Sequence, residues 1–467
     1  MPSPAPEPNS PRPLTIWLVN PFDDIPGEGA GVSRTLSLAR VLAARGHEVT
    51  WWSSTWSHRR KAVRRAPPAL SEDEEFAVRL VAVRGYERDV SLARLASRRD
   101  FGRTLERLVT ETIASGQLQR PDVIVATLPP LAGAEACVRL ARRLDTTLVI
   151  DLPELWPETR ATLLPVPAAL RQLLVPWLLG GMRRRRDAVV AAADAVAAAS
   201  TAELSVVLPV LPPAAAQRTD LAAVPAAATP PASAPGRAVP RHVCVIGAYI
   251  QEFATAGPHV EPVPLPGAGI DAAAPPRALA CVHTISEHAD RDAEMLAKIA
   301  RLLGSRGVET VIHVVVPEAG HGPLERVAEK LRGACRLVVH RQPDRRAYVD
   351  LLGGCDVGLV GLSSGCSVAV PVAACEYAAA GLALVSGVPG DLATHIDRSG
   401  AGVACAADNA GMWADALAAL ATDRRRLLGL RDGARRLAAA VFDRETTSAR
   451  FATWLEAVAV GMTDELT

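Results

Sequence analysis

Hydrophobic and polar positions along this chain keep switching between two periods. Leu14–Asn20 (LTIWLVN) is a short apolar run of strand character, and from Gly31 to Arg45 apolar side chains recur at helical spacing through Val32, Leu36, Leu38, Ala39, Leu42 and Ala43. Glu48–Ser53 returns to strand. Strand, loop, helix and strand in that order predict two neighbouring parallel strands joined by a crossover helix. The pattern goes on with strand Phe76–Val83, helix Leu92–Ser115, strand Val123–Thr127, helix Ala132–Leu144 and strand Thr147–Asp151.

From Leu204 to Pro240 the rhythm stops in a stretch packed with Pro and Ala, which sustains neither helix nor sheet and reads as a linker or exposed insertion. Beyond it the alternation resumes. Strands are expected at Ala278–Val282, Thr310–Val316, Leu337–His340, Val357–Leu362 and Ala383–Ser386. Helices are expected at Arg291–Leu303, Pro323–Gly333, Asp344–Gly353, Pro371–Ala380, Met412–Ala421 and Arg424–Val441. The reading is α/β, with two doubly wound parallel-sheet domains. Residues 1–13 read as a disordered tail, 14–204 as the first domain, 205–240 as the linker, 241–440 as the second domain, and 441–467 as a terminal helix that could cross back to the first.

Composition changes this picture little. Basic and acidic residues balance to a net charge of +1, so no global field points to nucleic acid. The cysteines, Cys137, Cys244, Cys281, Cys335, Cys355, Cys366, Cys375 and Cys405, lack metal-site or redox spacing and read as buried thiols of a cytoplasmic protein. No metal and no cofactor is expected. The apolar stretch Leu163–Met182, interrupted by Arg171 and Gln172 and broken by Pro176, is a poor membrane span. With Arg183–Arg186 behind it, 163–186 is either a peripheral contact with an anionic leaflet or a core helix with a solvated basic end.

The loop after the first strand carries Gly27, Gly29 and Gly31. A dinucleotide site needs glycines tight against the strand, a third glycine where Val32 stands, and an acid after the second strand, which here ends in Trp51-Trp52-Ser53. That reading fails. Glycines followed by a helix N-terminus nevertheless suit the close approach of an anion such as a diphosphate.

Cys355–Ile396 reads CDVGLVGLSSGCSVAVPVAACEYAAAGLALVSGVPGDLATHI. Asp356-Val357-Gly358-Leu359, the serine/glycine turn, Pro371, Glu376-Tyr377, Ala379, Gly381 and Gly390 follow a D-V-G-L strand, turn and P-x-K-x-x-E-Y-x-A-x-G helix. The N-terminal half adds Arg45-Gly46-His47-Glu48-Val49 and Asp151–Glu158, DLPELWPE. In this order the motifs resemble the retaining GT-B glycosyltransferases of family 4, over roughly Leu14 to Leu455. The resemblance implies two Rossmann-like domains facing a cleft, the first binding a hydroxyl acceptor and the second a nucleotide-sugar donor. It implies that Glu376 accepts the ribose hydroxyls, that Ser364, Gly365 and Ser367 meet the donor phosphates, and that Arg341 grips the nucleoside. Gly29 and Gly31 would also face the donor, while Glu154 and His58 would orient or deprotonate the acceptor. The acceptor would be a polyprenyl-linked glycan or a natural product, and transfer would proceed with retention.

Three positions depart from the family pattern. Val368 stands where relatives carry a second Glu, Ala373 where they carry a Lys, and His283–Arg291 (HTISEHADR) lacks the usual Arg and Lys pair, although His283, His288 and Arg291 can substitute. A developing diphosphate needs positive partners, so a GT-B pseudo-enzyme that serves as a scaffold is the rival reading. An epimerase would need acids around the anomeric carbon that the motifs do not supply.

Overall fold

Apolar strands alternating with helices build two α/β units, Met1–Cys244 with Ser448–Thr467, and Val245–Thr447. The structure, a computed structural model, describes residues 12–28, 33–64, 74–88, 91–154, 156–158, 168–207, 209, 239–254, 278–285, 289–316, 322–330, 334–341, 343–364 and 368–461.

The first unit runs β1 (Thr15–Val19), α1 (Arg34–Ala44), β2 (Glu48–Ser54), a short hairpin of β3 (Trp56–Ser57) and β4 (Ala62–Val63), β5 (Ala77–Val81), α2 (Leu92–Ala114), β6 (Val123–Thr127), α3 (Leu131–Leu144), β7 (Thr147–Leu152), α4 (Ala168–Ala191), β8 (Ala195–Ala198), α5 (Thr201–Val207) and β9 (Arg241–Val243). Its sheet has the order β5-β2-β1-β6-β7-β8-β9. Every pairing in it is parallel. Because helices cover both faces, a strand such as VIVAT in β6 is buried at every position and shows no polar alternation. Helix α1 starts where the Ser33 hydroxyl accepts the Leu36 amide and stops at Gly46, whose φ of +83° suits a residue without Cβ.

The second unit runs α6 (Ile250–Ala254), β10 (Leu279–Thr284), α7 (Ala289–Ser305), β11 (Thr310–Val316), α8 (Gly322–Lys330), β12 (Cys335–Arg341), α9 (Arg345–Gly353), β13 (Val357–Val360), α10 (Val372–Ala379), β14 (Ala383–Ser386), α11 (Asp391–Ser399), β15 (Gly402–Ala404), α12 (Ala410–Thr422) and α13 (Arg424–Leu437). The sheet order is β12-β11-β10-β13-β14-β15, again parallel throughout. The last helix, α14 (Arg444–Ala459), passes from the second unit into the first.

Two boundaries differ from the sequence pattern. Arg241–Val243 pairs with β8, so the residues from 241 extend the first sheet and the second unit begins at Val245. Strand β8 is AVAA, too alanine-rich to declare itself by β propensity. Pro176 does not break its helix: α4 is continuous from Ala168 to Ala191. No described helix is long and apolar enough to cross a membrane. The basic run behind 163–182 is engaged in ion pairs, Arg183 and Arg186 with Glu158 and Arg185 with Glu135. Among the described residues the cysteines are free thiols, all buried except the half-buried Cys405.

The Arg45-Gly46-His47 motif acts as a clasp for α14. Arg45 donates to both Glu456 oxygens at 3.0 and 2.9 Å and to the Ala449 carbonyl at 2.9 Å. His47 accepts the Leu14 amide on Nδ1 at 3.1 Å, which leaves Nε2 to donate to Glu456 at 2.9 Å. Partly exposed ion pairs of this kind contribute at most about 1 kcal/mol. Burial of Phe451 and Leu455 in the core that also holds Ile16, Leu18 and Trp51 contributes more, about 1.5–3 kcal/mol per side chain. His242 stacks on Phe451 and Trp454, with ring centroids 5.7 and 5.2 Å away.

Burial, reinforced by Arg34 and Arg450, pushes the His242 imidazole down to about 4 from its ordinary 6.5. Between those values the unfolded chain binds the extra proton, so stability falls as pH drops through this window. The full shift corresponds to about 3 kcal/mol. Urea midpoints at pH 7 and pH 4.5 should show a smaller acid loss for His242→Phe than for the wild type. The slope that persists would include His313 in the second unit, also pushed down to about 4 by burial.

Candidate functional site

In an open parallel sheet, the loops after the two strands where the order reverses leave in opposite directions and open a crevice at the carboxyl ends. In the second unit those strands are β10 and β13. The D-V-G-L motif opens β13 at the opposite, amino end of these strands. Asp356, fully buried, accepts the Ala280 amide at 3.1 Å and Arg431 at 3.0 Å, which ties β13 to β10 and α13. Gly358 is small because the Tyr377 ring lies against it: a Cβ there would meet Tyr377 Cδ2 at 2.3 Å.

Tyr377 begins an ordered hydrogen-bond chain. Its hydroxyl accepts the Thr284 amide at 2.8 Å and donates to Thr284 Oγ1 at 2.9 Å. Tyr348 donates to Glu376 Oε2 at 3.1 Å. With both phenols donating elsewhere, the Thr284 hydroxyl is left to donate to Tyr348 across 3.3 Å. Burial pushes both phenols above their ordinary range, which keeps them as donors.

Glu376, on α10, is mostly buried at 15% side-chain exposure, and its other oxygen accepts from Arg345 at 2.5 Å. Arg345 also donates to Glu252 from Nε at 2.8 Å and lies over the rings of Phe253 and Tyr348. Arg345 and Tyr348 fall three residues apart on one face of α9, just after the Asp344 cap that accepts the Ala347 amide. That spacing beside a helix start was a readable signal, but nothing in the sequence names Glu376 as its target.

Beside this network the Ser363 hydroxyl donates to Asp292 at 2.7 Å, and His283 faces the other Asp292 oxygen at 3.2 Å and the Leu359 carbonyl at 3.0 Å. Arg291 donates to the Ser364 carbonyl at 3.1 Å. The Ser364 amide, expected to face phosphate, is donated to the Asp408 carboxylate at 3.2 Å. Gly365 and Ser367 lie outside the described residues, as does His288. Arg341 sits at the end of the edge strand β12, exposed and paired with Glu325. Val368 and Ala373, the departures from the family pattern, are both half-buried.

In the first unit the corresponding strands are β1 and β6. Gly29 and Gly31, in the loop after β1, are outside the described residues. Asn20 closes that strand with an Asx turn, accepting the Phe22 amide at 2.9 Å and donating to Thr35 at 2.8 Å. Asp151 forms a buried two-point pair with Arg34, at 2.7 and 3.0 Å. Burial pushes that carboxyl up and Arg34 draws it back, so the first residue of DLPELWPE is bound to α1. Glu154 follows β7, half-buried, and its carbonyl accepts the Trp156 amide at 2.9 Å. His58, in the hairpin loop after β2, shares a hydrogen bond with Tyr86 at 2.7 Å and lies within 3.3 Å of Arg94. The strands they follow, β2 and β7, are separated by β1 and β6, a spacing of about 14 Å in the sheet. Among the described residues no three His, Cys, Asp or Glu side chains lie together as a metal site.

No protein-family model matches this sequence, and no curated protein matches it. Solved structures do. HepE from Anabaena, in complex with UDP-glucose, is 12% identical, with 95% of this chain and 100% of that chain covered and a TM-score of 0.58. Sucrose-phosphate synthase from Thermosynechococcus elongatus is 13% identical, with 96% and 100% covered and a TM-score of 0.63. An α,α-trehalose-phosphate synthase (UDP-forming) from Burkholderia vietnamiensis is 15% identical, with 97% and 98% covered and a TM-score of 0.64. The fold is GT-B. At these identities the likeness is one of fold, and chemistry has to be argued from the residues of this chain.

The Gly358–Tyr377 seam gives a direct check on the GT-B site edge. Gly358→Ala forces the Tyr377 ring off β13 and should cost about 1–3 kcal/mol, the usual penalty for overpacking, seen as a lower melting midpoint. Ala at the open position Gly304, with no neighbour within 4 Å, should leave that midpoint unchanged or raise it.

Proposed function

We propose that the protein is a glycosyltransferase that moves a sugar from a nucleotide-sugar donor to a hydroxyl acceptor with retention of anomeric configuration, as in family 4. The observation that carries this reading is the Glu376 carboxylate, held by Arg345 and Tyr348 in a network that reaches Thr284 at the end of β10. A carboxylate offers acceptors only, which suits two vicinal ribose hydroxyls. Arg291, fixed at the same edge by the Ser364 carbonyl, supplies a cation for the donor diphosphate where relatives use Arg and Lys. Retaining transfer of this type asks for no protein nucleophile, and the leaving phosphate guides the acceptor onto the same face. In the first unit Glu154 and His58 are the groups on offer to an acceptor. The ion pairs of Arg183, Arg185 and Arg186 favour a soluble natural-product acceptor in the cytoplasm over a polyprenyl-linked glycan on a leaflet.

A second reading, a pseudo-enzyme that keeps the scaffold and has lost turnover, rests on Val368 and Ala373, which put no charge where relatives carry a Glu and a Lys.

The HepE structure holds UDP-glucose, so UDP-sugars are the first donors to titrate, followed by ADP-, GDP- and dTDP-sugars. Saturable binding is expected, and Glu376→Ala should weaken it by roughly 10- to 100-fold, the loss of hydrogen bonds to a charged acceptor. Binding of no nucleotide sugar by folded protein would sink the transferase reading. Tight binding without sugar transfer to any acceptor in a mass-spectrometric panel would favour the pseudo-enzyme.

A further inference from the structure

We propose that Arg345 is a positioning residue for the donor site, holding the Glu376 carboxylate so that its remaining lone pairs face the ribose. The inference rests on the donor reading of Glu376 given above. A glutamate on a helix has three rotatable torsions, and nothing in α10 itself fixes where its oxygens point. Here each oxygen has its own protein donor, Arg345 on Oε1 at 2.5 Å and the Tyr348 hydroxyl on Oε2 at 3.1 Å. A carboxylate has about four acceptor positions, so one on each oxygen stays available for a hydroxyl.

Arg345 can set this geometry because it is itself held. Its Nε donates to Glu252 at 2.8 Å, and its guanidinium carbon lies 5.4 Å from the centre of the Phe253 ring and 5.8 Å from that of Tyr348. The planar fork therefore bridges an acid on α6 and an acid on α10 while resting on two aromatic faces. Lysine would keep the charge but could not make the two directed contacts. The Tyr377, Thr284 and Tyr348 chain fixes the other oxygen from the side of β10, which leaves Oε1 to Arg345.

The test uses UDP, ADP and GDP and their 2′,3′-dideoxy counterparts, titrated calorimetrically into the full chain. For the nucleotide the wild type binds best, Arg345→Ala should weaken binding by about tenfold, the value of one hydrogen bond to a charged group. It should weaken the dideoxy ligand, which offers no hydroxyls to Glu376, less than twofold. Arg345→Lys should recover part of the loss. If Arg345→Ala fails to fold, Glu252→Gln, which loosens only the outer hold on Arg345, should give the same hydroxyl-dependent pattern at smaller size. Equal losses for the hydroxyl-bearing and dideoxy ligands, or no loss at all, would overturn the positioning role while leaving the donor reading intact. A folded wild type that binds none of the nucleotides would overturn the donor reading and this inference with it.

Discussion

Burial of parallel strands on both faces is the constraint on which the rest of this molecule depends. A strand such as TVIHVVV in β11, buried at every position, has little room for charged chemistry along its length. Polar groups collect instead at strand ends, where the chain leaves the sheet. The network from Tyr377 through Thr284 and Tyr348 to Glu376 is built at such an edge, where the strand order reverses at β10 and β13.

Core packing and the site meet at one seam. Tyr377 fills the space over Gly358 with its ring and directs its hydroxyl to Thr284, so one fully buried side chain sets both the α10–β13 distance and the start of the polar chain. Glu376 is the preceding residue on the helix, and its side chain is mostly buried beside that seam. The amino end of β13 is governed by Asp356, whose buried charge is matched by Arg431 and the Ala280 amide. Such a charge is tolerable in the interior only because its partners are complete.

In the first unit the motif residues are largely structural: Arg45 and His47 hold Glu456 on the last helix, and Asp151 is bound to Arg34. Short family-like motifs therefore mix residues that position the chain with residues offered to ligands, and only their partners tell them apart. His58 and Glu154 follow strands at the carboxyl end of the sheet, where Asp151 also lies, whereas Arg45 and His47 sit at the amino end, before β2.

Local pattern along the chain was enough for the elements whose burial is regular. Period and composition marked most strands and helices, the change of texture after Leu204, and the D-V-G-L strand and E-Y helix that carry Glu376. Weakly patterned pieces escaped: AVAA of β8, the three-residue β9 and β15, and helix α11, because short or alanine-rich segments take their structure from neighbours. Tertiary structure alone decided who meets whom. Arg345 joins Glu252 across 93 positions and Glu376 across 31. The Ser364 amide goes to Asp408, and Arg45 closes on a helix residue 411 positions away. Periodicity reports which face of an element is buried, but hydrogen-bond partners are set by how elements pack, and that packing has no counterpart in local order along the chain.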